Sequence, residues 1–416
     1  MKKIDIVDVA KDEATSFIKD EITKYAKWLV NNTLVSMIVG AAVPVSLEKL
    51  KSIILSSSEV PPSLIKKSRS RFLNEDPEYA VKQYSAEQTI APNIPYVELA
   101  NFSNLLAKGK KPKIELDIKR GKFELESWDD HETEWLVEAG SGALRAENRV
   151  THDSAVVRVS DVKPTEDGAV FTIQEARYSQ QARSNLILDF DELPHGRKSS
   201  KSIRDQLLRK YGSKLPPLSE SHLVNSLGCA VLVFYEFEGR LVPLQVMRTV
   251  DTAVFNGGGW HCTASGAAEW PTDPARTDNS FQAYIEDDIY EELRVEVGFP
   301  PHSVRLELVA VCRELARGGK PQLFFIGFSD AAPEKIAKQM ETARLKQIEA
   351  RKNNPFAEPI EVQRHPFMHE AKSFSSKDEV DGSATKFGFT PEAAACLYYF
   401  FDMINAAESE ERRTSR

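Results

Sequence analysis

The order of strand and helix patterns between residues 226 and 328 constrains the fold more than any other part of the sequence. Two apolar runs around a turn at Glu238 and Gly239 lead into a glycine-rich stretch, FNGGGWHCTASGAAEW (255–270), and then into an acidic helix pattern. Beyond Gly298 come another apolar run, a Gly-Gly turn and a last apolar run. Since apolar runs bounded by turn residues predict strands, this region predicts a unit that mixes strands with one helix.

The helix pattern is AYIEDDIYEELRVEVGF (283–299). An apolar residue recurs at every fourth position from Ile285, which predicts one buried stripe. Asp288, Glu292 and Glu296 form a second row at the same spacing. Like charges four residues apart destabilise a helix slightly, whereas a divalent cation bound between them makes the row favourable. The row is therefore either a solvated surface or a set of metal ligands.

The order of these elements resembles the Nudix superfamily, whose box reads G-x5-E-x7-R-E-U-x-E-E-x-G-U, with U a bulky aliphatic residue. The chain is similar to the second half of that box over residues 291–299, where Glu292, Glu296 and Gly298 stand at matching positions. Gly266 corresponds to the first glycine of the box. The resemblance covers residues 223–330, roughly a quarter of the chain.

The chain departs from the family pattern at several positions. Glu291 stands where the family has arginine, and Val295 stands where it has the first glutamate of its Glu-Glu pair. The upstream glutamate falls on Thr272 or on Ala283, depending on the end from which one counts. About eleven additional residues, PTDPARTDNSF, separate the glycine-rich stretch from the helix.

The resemblance implies cleavage of a nucleoside diphosphate linked to another moiety, with Mg²⁺ or Mn²⁺ as cofactor. Glu292 and Glu296 would then be the catalytic residues and metal ligands. Asp288, Glu269 and Glu314 are candidates for the ligand that is missing at Val295, and Glu314 is favoured because family members often supply a ligand from a later loop.

Three further residues are candidates for binding the substrate. Arg248 would contact phosphate, since a guanidinium binds phosphate through two hydrogen bonds, or would be an exposed arginine at the end of a strand. Trp260 would stack on a base or lie in the core. Gly266 would allow a close approach of the backbone. Arg294, three residues after Glu291, would support the carboxylates or form an ordinary surface pair.

A chain of 416 residues exceeds the usual size of a single core, so several domains are expected. The predicted class is α+β and multidomain, with an N-terminal helical segment and a β-rich region before a Nudix-like α/β/α sandwich. The expected boundaries are a helical segment (1–56), a linker (57–95), a β-rich domain (96–192), a connector (193–222), the Nudix-like domain (223–352), and a C-terminal loop, helix and tail (353–416).

Charge and cysteine content narrow the partners and the compartment. A net charge of −8 argues against general binding of nucleic acid. Four scattered cysteines give no disulfide framework, which fits a reducing cytoplasm. The apolar stretch 28–47 is interrupted by Asn31, Asn32 and Pro44, so it is expected to pack in protein rather than in lipid.

The sequence thus favours a metal-dependent hydrolase of a nucleotide derivative. Two alternatives stay open. Loss of the glutamate at Val295 favours a module that binds a nucleotide such as ADP-ribose without cleaving it. A Nudix-like fold could also serve only as an interaction scaffold, because a fold does not determine a function.

Overall fold

The computed structural model describes residues 71–147, 149–150, 152–237, 239–248, 259–271, 280–353, 362–364, 376–384 and 388–414. All of them belong to one compact unit, Pro62–Arg416. The predicted helical segment 1–56 and the apolar stretch 28–47 lie outside the described residues. No helix within the described part is long and apolar enough to cross a membrane.

The strands of the described residues are, in chain order, β1 (Tyr96–Asn101), β2 (Lys113–Lys122), β3 (Ala155–Pro164), β4 (Gly168–Arg177), β5 (Gly228–Phe237), β6 (Arg240–Leu244), β7 (Val246–Arg248), β8 (Trp260–His261), β9 (Ala264–Ala267), β10 (Arg305–Glu314), β11 (Lys320–Ser329) and β12 (Val362–Arg364).

The helices of the same residues are α1 (Pro77–Gln83), α2 (Ser103–Ala107), α3 (His131–Ala146), α4 (Tyr178–Ala182), α5 (Ile203–Tyr211), α6 (Asp287–Glu292), α7 (Pro333–Asn353), α8 (Lys377–Ala384) and α9 (Pro391–Thr414). A π-helical turn precedes α6 (Gln282–Glu286) and another follows it (Leu293–Val297). These three consecutive segments are called the acidic helix below.

The central sheet contains six strands of the described residues, in the order β1-β10-β11-β5-β6, with β9 also paired to β5. β5 and β11 are parallel, and the other pairs are antiparallel. β5 has ten residues, which lets β9 pair with its first half and β6 with its second half. β1 comes from the region predicted as a separate β-rich domain, so strands of both predicted regions share this sheet.

The two faces of the central sheet are covered by different helices. On one face, Cys229 and Val231 pack with the apolar stripe of the acidic helix, which includes the fully buried Ile285 and Val297. On the other face, Ala230 and neighbouring strand residues pack with α9. Because successive strand residues point to opposite faces, the uniformly apolar sequence of β5 is explained by burial on both sides.

Two smaller sheets flank this unit. β2, β4 and β3 form one, with β2 and β4 parallel and β3 and β4 antiparallel. β3 also hydrogen-bonds beyond its own sheet: the N–H of Leu227 donates to the carbonyl of Val157, and the N–H of Val157 donates to Ala268. β12, β7 and β8 form the other. The predicted α+β class is therefore confirmed.

A helical layer lies within the region predicted to be β-rich. α3 begins at its N-cap Asp130, whose carboxylate accepts hydrogen bonds from the N–H groups of Glu132 and Thr133. α3 and α5 bury their apolar sides in a core shared with the segment around Ile187 and Leu188. That segment lies in the region predicted to be β-rich, and it forms turns rather than a strand.

Candidate functional site

The position of the acidic helix follows from its apolar stripe and from the glycine that ends it. Gly298 has φ +82°, a left-handed conformation that suits a glycine at the end of a helix. A Cβ at this position would also lie 2.4 Å from the carbonyl oxygen of Gln339 in α7. The glycine therefore both ends the helix and lets α7 pack closely against it.

Gly266 and Glu292 lie in direct contact. Gly266 is in β9, where it pairs with Cys229 of β5. A Cβ on Gly266 would lie 2.3 Å from Oε1 of Glu292, so only glycine leaves room for this carboxylate. The stretch SGAAEW (265–270) therefore lies beside the acidic helix, despite the additional residues that separate the two in sequence.

Asp288 lies one turn before Glu292 and faces the same cleft. Its Oδ2 accepts a hydrogen bond of 2.6 Å from the N–H of Glu269, which fixes the carboxylate against the segment that follows β9. The cleft is small and open to solvent, and it is lined by Cys229, Val231, Ala264, Ser265, Gly266, Ala267, Ala268, Asp288, Ile289 and Glu292.

The described residues that line this cleft do not include Glu296, although the sequence pattern predicted that Glu292 and Glu296 share a pocket. Glu296 is half-buried and belongs to the π-helical turn Leu293–Val297, which begins directly after Glu292. A role for Glu296 beside Glu292 stays a prediction.

Glu314 is not a ligand at this cleft either. It lies at the end of β10 with no exposed surface, and its Oε2 is 2.7 Å from Nε of Arg317. Arg317 also contacts Glu392 in the first turn of α9, at 2.8 Å. Cys312, two residues earlier on the same strand, packs in the core on the α9 side. Glu314 therefore belongs to a buried ion-pair cluster on the opposite face of the central sheet.

The two substrate-binding candidates Arg248 and Trp260 lie in the small β12-β7-β8 sheet. Arg248 ends β7 and pairs there with Val362, and its side chain lies outside the described residues. Trp260 is half-buried in β8 and hydrogen-bonds through its backbone to Gly388 and Thr390, just before α9. The described residues that line the cleft do not include Trp260.

The Glu291–Arg294 pair is an exposed surface pair. Arg294 Nε lies 2.7 Å from Oε2 of Glu291, and the two side chains are 48% and 58% exposed. An exposed pair of this kind contributes at most about 1 kcal/mol to stability. Neither residue lines the cleft.

Cys229 is a buried core residue of β5 that also lines the cleft, and its apolar strand sequence does not indicate this second position. It is 4% exposed and lies opposite Gly266. Burial raises the pKa of the Cys229 thiol, and the negative charges of Asp288 and Glu292 raise it further. The thiol is therefore neutral at physiological pH. The pairing register of β5 and β9, rather than any residue pattern, is what reveals its place in the cleft.

The donor groups present fit a hard divalent cation only in part. Asp288 and Glu292 give the cleft two carboxylates, and Mg²⁺ is commonly held by one or two carboxylates together with waters and substrate phosphates. Within the part of the chain that the structure describes, no three His, Cys, Asp or Glu side chains are arranged to hold a metal ion. A cation in this cleft would therefore take its remaining ligands from water and from the substrate.

No protein-family profile and no curated protein matches the chain. Several solved structures are similar to part of it. The NUDIX domain of Shewanella oneidensis NrtR, complexed with ADP ribose, is 18% identical with a TM-score of 0.18; the similarity covers 26% of this chain and 62% of that one. The C. elegans Ap4A hydrolase is 11% identical with a TM-score of 0.19, over 32% of this chain and 98% of that one. A Nudix hydrolase from M. smegmatis, RenU, is 14% identical with a TM-score of 0.19, over 30% and 87%.

Proposed function

We propose that this chain is a Nudix-like hydrolase that cleaves a nucleoside diphosphate linked to another moiety. The observation that supports this most directly is the contact between Gly266 and the Glu292 carboxylate in a cleft that also holds Asp288. That contact joins the glycine-rich stretch to the acidic helix, the two halves of the sequence pattern that resembles the Nudix box.

Asp288 and Glu292 are the residues that would hold Mg²⁺ or Mn²⁺ in this proposal. Such an ion would offset the negative charge of a diphosphate and of its leaving oxygen. The chain itself would contribute the orientation of the two carboxylates. The backbone N–H of Glu269 fixes Asp288 by a hydrogen bond to its carboxylate. The missing Cβ of Gly266 leaves space for the Glu292 carboxylate. Apolar residues that also line the cleft, such as Ala264 and Ile289, would limit the access of water to the carboxylates.

The test is metal-dependent hydrolysis across a panel of nucleoside diphosphate derivatives that includes ADP-ribose and diadenosine polyphosphates. We expect Glu292→Gln to lower kcat at least about a hundredfold, or ~2.7 kcal/mol, because a carboxylate near the reacting phosphates acts chiefly in the transition state. Glu296→Gln is the matched control, since it makes the same change one turn further along. If Glu292→Gln and Glu296→Gln lowered kcat equally, that result would contradict the proposal that Asp288 and Glu292 are the carboxylates that hold the metal ion.

A nucleotide sensor is the second candidate. It is favoured by Val295, which replaces a family carboxylate, and by the lack of a three-residue metal group within the described residues. A sensor binds a nucleotide without turnover. Tight nucleotide binding by the wild type, no hydrolysis with Mg²⁺ or Mn²⁺, and unchanged binding by Glu292→Gln would together favour the sensor over the hydrolase.

A further inference from the structure

The imidazole of His261 connects two elements on the α9 side of the central sheet. Its Nδ1 lies 2.6 Å from Oγ1 of Thr390, and its Nε2 lies 2.7 Å from Oγ of Ser265. A neutral imidazole has one donor and one acceptor nitrogen, so it can hydrogen-bond to two hydroxyl groups at once. The ring is 3% exposed, which leaves little water to replace either hydroxyl. Sγ of Cys262 is 3.3 Å from the same Nε2, and a thiol is the weaker partner.

Thr390 is held firmly at its end of this connection. It directly precedes α9, and its Oγ1 accepts a hydrogen bond of 3.2 Å from the N–H of Ala393, as an N-cap residue does. Its own N–H donates to the carbonyl of Trp260 at 2.7 Å. The Thr390 hydroxyl is therefore a fixed point at the start of a helix of 24 residues.

Ser265 is directly connected to the cleft. It lies in β9 opposite Ala230, whose side chain packs on the α9 side, and the next residue, Gly266, lies opposite Cys229 on the side of the acidic helix. Successive residues of a strand point to opposite faces. A movement of Ser265 towards or away from α9 is therefore also a movement of Gly266 relative to Glu292.

We propose that His261 is a positioning residue for the cleft. By hydrogen-bonding Ser265 to the N-cap of α9, it sets how closely the β9 backbone lies against the Glu292 carboxylate. The contact is tight, since a Cβ on Gly266 would lie 2.3 Å from Oε1 of Glu292. The effect of His261 on catalysis rests on the proposed function, whereas its effect on the packing of β9 is independent of that function.

Three substitutions test this in the full chain. Ser265→Ala removes the hydroxyl next to Gly266. The side-chain nitrogen of asparagine takes about the place of Nδ1, so His261→Asn keeps only the hydrogen bond to Thr390. The side-chain nitrogen of glutamine takes about the place of Nε2, so His261→Gln keeps only the hydrogen bond to Ser265. The control is Ser141→Ala in α3, which removes a buried hydroxyl, at 4% exposure, that donates to the carbonyl of Glu138 within its own helix.

Two measurements separate the outcomes. Steady-state kinetics should show kcat about tenfold lower at nearly unchanged KM in all three variants, since a small displacement of a catalytic group has effects of this size. The alkylation rate of Cys229 by iodoacetamide, followed by mass spectrometry of its peptide, should rise about tenfold, because a loosened β9 exposes the thiol opposite Gly266. Ser141→Ala should change neither.

The alkylation rate tests the positioning role even if the wild type hydrolyses nothing in the panel, an outcome that would contradict only the proposed function. An unchanged Cys229 rate in the three variants overturns the positioning role, whatever the kinetics show. An equal rise in Ser141→Ala also overturns it, because the effect would then be a general loosening of the fold. Wild-type behaviour of His261→Asn would show that the hydrogen bond to Ser265 has no role.

Discussion

At the residue scale, the position of the Glu292 carboxylate in the cleft depends on one missing atom, the Cβ of Gly266. Gly266 is not among the described glycines with a positive φ, so other residues could adopt its backbone conformation. The reason for a glycine is the space that its missing Cβ leaves to Oε1 of Glu292. A glycine with this role affects the placement of a functional group more than it affects stability.

We expect Gly266→Ala to lower kcat at least about tenfold while changing the free energy of unfolding by less than about 1 kcal/mol. The new methyl group would meet only the end of the flexible Glu292 side chain, which can rotate away at little cost in folding but then leaves its position. Kinetics and urea denaturation measure the two effects. Gly142→Ala in α3 is the control, because a Cβ there meets open space. Full activity of Gly266→Ala would contradict this role for the glycine.

At the element scale, the patterns that predicted correctly are those in which local physics and packing agree. The apolar stripe of the acidic helix, its end at Gly298 and the flanking strands are confirmed because burial on the sheet requires them. The π-helical turn Leu293–Val297 was not predictable from the i,i+4 pattern, because the apolar stripe that it continues has the spacing of an ordinary α-helix. α3 was not distinguished from the region predicted to be β-rich, and Gly140 within it leaves room for the ring of Phe190, which would lie 3.0 Å from a Cβ there.

Charged residues of β10, β11 and α9 meet in a buried cluster, and this cluster makes the free energy of unfolding depend on pH. Burial, together with the positive charge of Arg317, lowers the pKa of Lys320 to about 7. An unfolded lysine titrates near pH ~10.4. Between these values the unfolded chain carries a proton that the folded chain lacks, so the free energy of unfolding rises with pH, by up to about 1.4 kcal/mol per unit.

Lys320→Met should therefore flatten the rise in unfolding free energy between pH 7 and pH 9, as measured by urea denaturation across that range. Burial raises the pKa of Glu314, and a carboxyl whose pKa is raised on folding contributes the opposite slope. Glu314 is present in both the wild type and Lys320→Met. The difference between their slopes of unfolding free energy against pH therefore reports Lys320 together with its coupling to the Glu314 carboxyl. Lys335→Met is the control, because Lys335 is exposed on α7. A slope that Lys320→Met leaves unchanged would contradict a neutral buried amine.

At the scale of the whole molecule, the predicted domain boundaries stay predictions, and the described residues show how closely the regions are joined. The central sheet contains β1 as well as the strands of the Nudix-like region. The core of α3 and α5 reaches Leu315 and Ala316, in the turn between β10 and β11. Contacts between distant segments of this kind leave no local pattern in a sequence, which is why composition and linkers alone could not reveal them.

The Asp189–Arg204 ion pair connects the helical layer to that turn. Nε of Arg204 lies 2.7 Å from Oδ1 of Asp189 and Nη2 lies 2.8 Å from Oδ2, which is a two-point contact. Nη2 also donates to the carbonyl of Ala316 at 2.6 Å, and Nη1 lies 3.2 Å from the hydroxyl of Tyr84. The guanidinium is 1% exposed, so its charge has these partners instead of water.

We expect Asp189→Asn to lower the free energy of unfolding by about 3–5 kcal/mol, because it keeps the shape of the side chain but leaves a buried positive charge without its counter-ion. Adding Arg204→Met to that variant should restore part of the loss, since the buried charge is then gone. Glu291→Gln is the matched control: it breaks a pair whose side chains are about half exposed and should cost less than about 1 kcal/mol.

Urea denaturation followed by tryptophan fluorescence and by circular dichroism should give one coincident transition, because the Asp189–Arg204 pair joins the helical layer to the central sheet. Two separate transitions in the wild type, or equal losses in Asp189→Asn and Glu291→Gln, would show that the layers fold independently of this ion pair.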